Sequence, residues 1–116
     1  MELLKKERAE LKIADVCLFV RTRATIADKL ALERIESRGA ARLRAGDGSA
    51  EVLAWMGEQM ARLFVDGWSG VTVDGQAVPY SFDRLMDGFP AAMAAELIPK
   101  LSQFIAENVD VLKSKS

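Results

Sequence analysis

A chain of 116 residues, half of them hydrophobic and 28% charged, with a formal net charge of −1, has a globular composition, far from that of a disordered segment. One cysteine, Cys17, and no histidine exclude an intrachain disulfide and remove the commonest general base near neutral pH and the commonest zinc ligand. Residues 1–48 hold 11 Lys/Arg against 8 Asp/Glu and residues 49–116 hold 5 against 9, so the two parts carry +3 and −4, too mild a basic field to point to nucleic acid.

The length suits one domain spanning residues 1–116. Its start, Met1 to Glu7, turns charged before any apolar region forms, unlike a secretory leader, and no run approaches a membrane span. The expected setting is therefore cytosolic, with no membrane partner. Cys17 lies in the apolar run Val16–Val20 and is expected to be a small buried hydrophobe.

In chain order, Glu2 to Glu10 is charged and reads either as a short helix or as the lead into a strand. From Leu11 to Thr22 the β-branched and apolar residues predict strand, with Ala14-Asp15 either turning a hairpin or interrupting one longer strand. Thr25, with Asp28 three residues on, is an N-cap signature and predicts a helix from Ile26. Its stripe of Ile26, Leu30, Leu32 and Ile35 is loose, and Gly39 is expected to end or weaken it. Ala45 to Ser49 reads as a loop, with Ser49 capping a second helix along Val52, Met56, Met60, Leu63 and Phe64 and Asp66-Gly67 ending it.

The stretch Ser69 to Tyr80 reads as a tight hairpin turned by Asp74-Gly75 and closed by Pro79. Ser81 caps a short helix, Phe82 to Asp87, that Gly88 stops. Pro90 opens a last helix, whose buried side is drawn from Met93, Leu97, Leu101, Phe104, Ile105 and Leu112. Pro99 is expected to kink or divide that helix. The fold class is thus mainly α with a small β component (α+β), several helices packed with a short β-hairpin or small antiparallel sheet. Residues 1–10 and 113–116 are the segments expected to be flexible.

No pattern for chemistry emerges. The Gly-x-Gly of Gly46 to Gly48 leads into a helix but lacks the Lys-Thr/Ser of a phosphate loop, and the carboxylates show no ligand-like grouping. No cofactor, metal site or catalytic residue is expected, and the chain is read as non-enzymatic. Binding has better candidates. Met56, Met60 and Phe64 recur at four-residue steps, a pattern that serves either an ordinary core face or an adaptable apolar groove. Met86, Phe89 and Met93 extend the same choice. Trp55 and Trp68 fit either a partly buried core or an interface anchor. The partner-binding candidates are therefore Met56, Met60, Phe64, Trp68, Met86, Phe89 and Met93.

A strand ending in Phe19-Val20-Arg21-Thr22-Arg23-Ala24-Thr25, then a helix, then Val65-Asp66-Gly67-Trp68-Ser69-Gly70-Val71-Thr72-Val73-Asp74-Gly75-Gln76-Ala77-Val78-Pro79-Tyr80-Ser81, resembles the tail assembly chaperones of long-tailed bacteriophages and prophages. Such proteins combine a Trp-x-Gly-Val, an Asp-Gly turn and a Val-Pro-Phe/Tyr-Ser/Thr ahead of a short helix. The resemblance covers roughly residues 16 to 110, and its specific part is Trp68 to Phe82. It implies a chaperone in the cytoplasm of the bacterial host that binds the tape measure protein, helps recruit tail-tube subunits and is absent from the mature virion. The alternative is a non-enzymatic interaction or regulatory module that self-associates as a homo-oligomer through the Met56/Met60/Phe64 face.

Overall fold

The computed structural model describes residues 1–5 and 7–112, Leu112 by its backbone only. The expectation of a frayed tail at 113–116 and the buried role given to Leu112 fall outside that description. The architecture is α+β, as the composition and patterning indicate: among the described residues there are four α-helices, a three-stranded antiparallel sheet and a separate two-stranded hairpin.

Strands β1 (Arg8–Ile13) and β2 (Val16–Arg21) form a hairpin turned by Ala14-Asp15, Ala14 taking a left-handed φ of 54°. Strand alternation then sorts the side chains. Ala9, Leu11 and Ile13 stand opposite Val20, Leu18 and Val16 on the inner face, where Ile13, Leu18 and Val20 are buried. Cys17 is only partly buried, because it points to the other face of β2.

Strand β3 (Val65–Ser69) completes the sheet on the other side of β2, in the order β1-β2-β3. Its register shifts between Phe19 and Val20: Phe19 faces Gly67, and Val20 faces Val65. Asp66 is the extra residue of this β-bulge, which lets Val65 and Trp68, three positions apart, both face inward. On the outer face the Phe19 ring covers Gly67, where an added Cβ would lie 3.0 Å from the ring. Asp66-Gly67 therefore does not end a helix. Helix α2 (Ser49–Phe64) stops at Phe64, Val65 still donates to the Ala61 carbonyl, and the chain runs directly into the strand.

Helix α1 (Ile26–Arg44) opens with a reciprocal cap: Asp28 N–H donates to the Thr25 hydroxyl and Thr25 N–H to the Asp28 carboxylate. The Asp28 carboxylate also accepts two hydrogen bonds from Arg21, of 2.9 and 2.8 Å, and Arg21 donates a third to the Leu63 carbonyl. This pairing turns Asp28 inward and corrects the expected stripe. Asp28, Leu32 and Gly39 are buried and Ile35 is partly buried, a recurrence of three and four, whereas Ile26 and Leu30 face solvent. Gly39 does not end the helix either. It packs against α2 at Met56, where a Cβ would lie 2.8 Å from Met56 Sδ.

At the start of α2 it is Gly48, not Ser49, that occupies the cap position, with no side-chain cap bond. Beyond β3, strands β4 (Thr72–Val73) and β5 (Gln76–Ala77) form the expected hairpin, with Asp74 and Gly75 both left-handed (φ 51° and 78°), as a type I′ turn requires. Ser81 caps α3 (Phe82–Gly88) by accepting from Arg84 N–H.

Pro90 leads first into a 3₁₀ turn, Ala91–Met93, before α4 (Ala94–Asn108). Pro99 does not divide α4, because its ring lies on the exposed side while Leu97, Leu101 and Ile105 anchor the helix to the core. A second 3₁₀ turn, Asp110–Leu112, docks on the β2–α1 junction through Asp110 N–H to the Thr22 carbonyl and Ala24 N–H to the Asp110 carboxylate. The buried core joins all these parts: Ile13, Leu18 and Val20 from the hairpin, Leu32 from α1, Ala61 and Phe64 from α2, Phe82 and Leu85 from α3, and Leu97, Leu101 and Ile105 from α4. No helix among the described residues is long and apolar enough to cross a membrane.

Candidate protein-binding groove

Several residues of the Trp68–Phe82 stretch have local structural tasks. The Trp68 indole N–H donates to the Val78 carbonyl at 2.7 Å, stacks on Phe89 with ring centroids 5.8 Å apart, and meets Tyr80 edge-on at 5.1 Å. The Tyr80 hydroxyl donates to the Val65 carbonyl, and burial pushes its pKa up to about 12, with the Asp66 charge adding to the effect. Gly70, with a φ of 81°, passes so close to the first hairpin that a Cβ would sit 2.4 Å from the Asp15 carbonyl oxygen. Arg84 donates to the Pro79 carbonyl at 2.7 Å. These contacts fasten the β4–β5 hairpin to the sheet and to α3.

The seven residues singled out for binding are not one surface. Phe64 is wholly buried, with Arg21 5.4 Å above its ring. Met56 packs against α1 at Gly39, and Met60 and Met93 are partly buried against the core. The Met56/Met60/Phe64 stripe therefore faces the interior. Trp68 and Phe89 form the stacked pair that anchors the β4–β5 hairpin, and they line a pocket of about 300 Å³ beneath it together with Val71, Val78 and Arg84. Met86 alone of the seven lies on the apolar groove described next.

That groove, of about 460 Å³, runs between α2, α3 and α4. Its floor is set by small residues of α2, since Ala54, Gly57 and Ala61 leave space beside Leu97, Leu101 and Ser102 of α4. At Gly57 an added Cβ would be 3.7 Å from the Ser102 hydroxyl. Its rim carries three large apolar side chains that face solvent: Leu53 at 67% exposure, Ile98 at 56% and Met86 at 49%. Gly57 and Ile98 are groove residues that sequence reasoning missed, and Leu53 reads in the sequence only as widening the apolar side of α2. The available signal was the breadth of apolar character around α2, wider than one packed face needs.

Charges line the same groove unequally. Arg42 is engaged by Asp47 at 2.8 Å and Glu51 at 3.8 Å, and lies 5.4 Å over the Trp55 ring. Glu58 is partly buried in the groove wall, and among the described residues no cation pairs with it. The arrangement is an apolar trough that, among the described residues, carries one carboxylate outside any ion pair. Among the described residues, no three His, Cys, Asp or Glu side chains cluster so as to hold a metal ion. Compared with protein families, with curated proteins and with solved structures, the chain finds no match.

Proposed function

We propose that this protein is a tail assembly chaperone of a long-tailed bacteriophage or prophage, acting in the host cytoplasm and absent from the finished virion. Its role in this reading is to bind the tape measure protein, keep the apolar helices of that protein from aggregating, and help recruit tail-tube subunits. It is a binding protein and not an enzyme.

The observation that carries the reading is the coincidence of a specific sequence pattern and a usable surface. The pattern is Trp68-Ser69-Gly70-Val71, the Asp74-Gly75 turn and Val78-Pro79-Tyr80-Ser81. The surface is the groove rimmed by Leu53, Met86 and Ile98, whose exposed apolar side chains lose contact with water only when a partner covers them. Reversible cover for an aggregation-prone chain calls for adaptable apolar contact and no reactive group.

The test is co-expression with the tape measure protein encoded in the same genome. The expected result is a gain in soluble tape measure protein and a complex of the two on size exclusion. Insoluble tape measure protein at unchanged levels, with no complex, would overturn the reading.

A further inference from the structure

We infer that the α2–α3–α4 groove accepts a short amphipathic α-helix whose apolar stripe is flanked by a lysine or arginine that pairs with Glu58. The inference rests on the chaperone reading for the source of that helix, and on the groove itself for its chemistry.

The groove walls decide the secondary structure of the occupant. All three walls are helices whose interior backbone groups, except at Pro99 of α4, bond within each helix, so the groove offers no ladder to an extended strand. A segment that has satisfied its own backbone fits without leaving buried polar groups unpaired. Along α2 the lining runs from Glu51 to Ala61, a rise of about 15 Å, or about three turns of a bound helix. Apolar residues at three- and four-residue steps on that helix would cover Leu53, Met86 and Ile98 together.

Charge decides the flank. Arg42 is already neutralised by Asp47 and Glu51, which leaves Glu58 as the groove carboxylate with no ion pair among the described residues. Seating an apolar helix there strips water from that carboxylate, a penalty that a lysine or arginine on the helix offsets. An acidic flank would raise the penalty further. Helix α1 of a second copy is a poorer occupant: apart from Leu43 near its far end, its exposed large apolar side chains are Ile26 and Leu30, a single turn's worth for a three-turn groove.

The test uses the full chain and two synthetic helical peptides of about 18 residues. Both carry leucine at three- and four-residue steps; one has lysines along the flank and the other glutamates. Fluorescence anisotropy is expected to show the lysine peptide binding at least ~10-fold tighter. Glu58→Lys should invert that preference, and Ile98→Glu should weaken both peptides by more than ~10-fold. Ile98 is exposed and Glu58 half-buried at the groove wall, and circular dichroism melts serve to verify an intact fold of both variants.

Equal binding of the two peptides, or a preference that survives Glu58→Lys, overturns the inference. So does a tape measure complex that forms with neither peptide binding, a result that leaves the chaperone reading standing. Charge-selective peptide binding with no tape measure complex has the opposite meaning, upholding the groove's chemistry and removing the chaperone reading. A mass that doubles with concentration in light scattering, and reverts in Ile98→Glu, assigns the groove to a second copy and also overturns the inference.

Discussion

Arg21 grips Asp28 with two parallel hydrogen bonds of 2.9 and 2.8 Å, joining the end of β2 to the first turn of α1. Asp28 is 6% exposed at its side chain and Arg21 22%, so the pair is largely shielded from water. The Arg21 hydrogen bonds hold the Asp28 carboxyl below its ordinary value of 3.8, and the Thr25 backbone N–H adds to the effect. A carboxyl depressed in the folded state stabilises the fold above its unfolded pKa, and that contribution is lost as pH falls through the folded one. Asp28→Asn is expected to cost ~2–4 kcal/mol in urea unfolding near neutral pH. It should also flatten the stability profile below about pH 4, where the Asp28 contribution is lost in the wild type. A wild-type acid limb retained unchanged in the variant would show that the pair contributes nothing.

Gly70 and Gly75 have nearly the same positive φ, 81° and 78°, in different surroundings. A Cβ at Gly75 meets nothing within 4 Å, whereas one at Gly70 would lie 2.4 Å from the Asp15 carbonyl oxygen. Gly75→Ala should therefore cost ~1–2 kcal/mol, the strain of a left-handed alanine. Gly70→Ala should cost at least ~2 kcal/mol more, because the β1–β2 turn must also move. Equal losses in parallel thermal melts would remove the close approach as a cause.

Trp68→Phe keeps an aromatic ring beside Phe89 and removes the 2.7 Å bond to the Val78 carbonyl. A loss of ~1–2 kcal/mol is expected, together with faster amide exchange in the β4–β5 hairpin. Exchange that quickens uniformly over the whole chain would mean that Trp68 supports the core and not the hairpin.

Tyr80 is the single tyrosine, so phenolate absorbance reports one group. Its pKa of about 12, against an ordinary 10.0, means that the neutral phenol favours the fold. This contribution is complete below pH 10 and is lost as pH rises towards 12. The phenolate signal should emerge near pH 12 in the folded chain and near pH 10 in urea. Superimposable titrations in the two conditions would contradict this burial.

Pro99 interrupts the backbone ladder of α4 on its exposed side. Pro99→Ala restores an N–H donor there and is expected to raise stability by ~1–3 kcal/mol, seen as a higher thermal midpoint. An unchanged or lower midpoint would mean that the helix has adapted its packing to the proline.

Features whose cause lies within a few residues are legible in the amino-acid sequence. Thr25 and Asp28 cap each other, Asp74-Gly75 supplies two left-handed residues, and Ser81 caps α3, because each depends on atoms three or four positions apart. Asp66-Gly67 misleads for a related reason. The pair has the local character of a helix stop, but β2 offers an unpaired edge and Phe19 needs a bare position beneath its ring. Gly39 misleads likewise, since its role is set by Met56 on another helix. The groove is not legible in this way because its parts, Leu53, Met86 and Ile98, are scattered over three helices and share no period.

By itself the sequence determined the α+β class, where most helices start and the chemistry of the second hairpin, all governed by local backbone preferences. Tertiary structure decided which faces are buried: it sent Phe64 and the Met56/Met60 stripe inward, turned Ile26 and Leu30 out, and left Leu53, Met86 and Ile98 around an open trough. The physical reason is that burial belongs to pairs of surfaces. An apolar face read from one segment is complete only when its partner is known, and contacts such as Arg21 to Leu63, 42 residues apart, choose that partner.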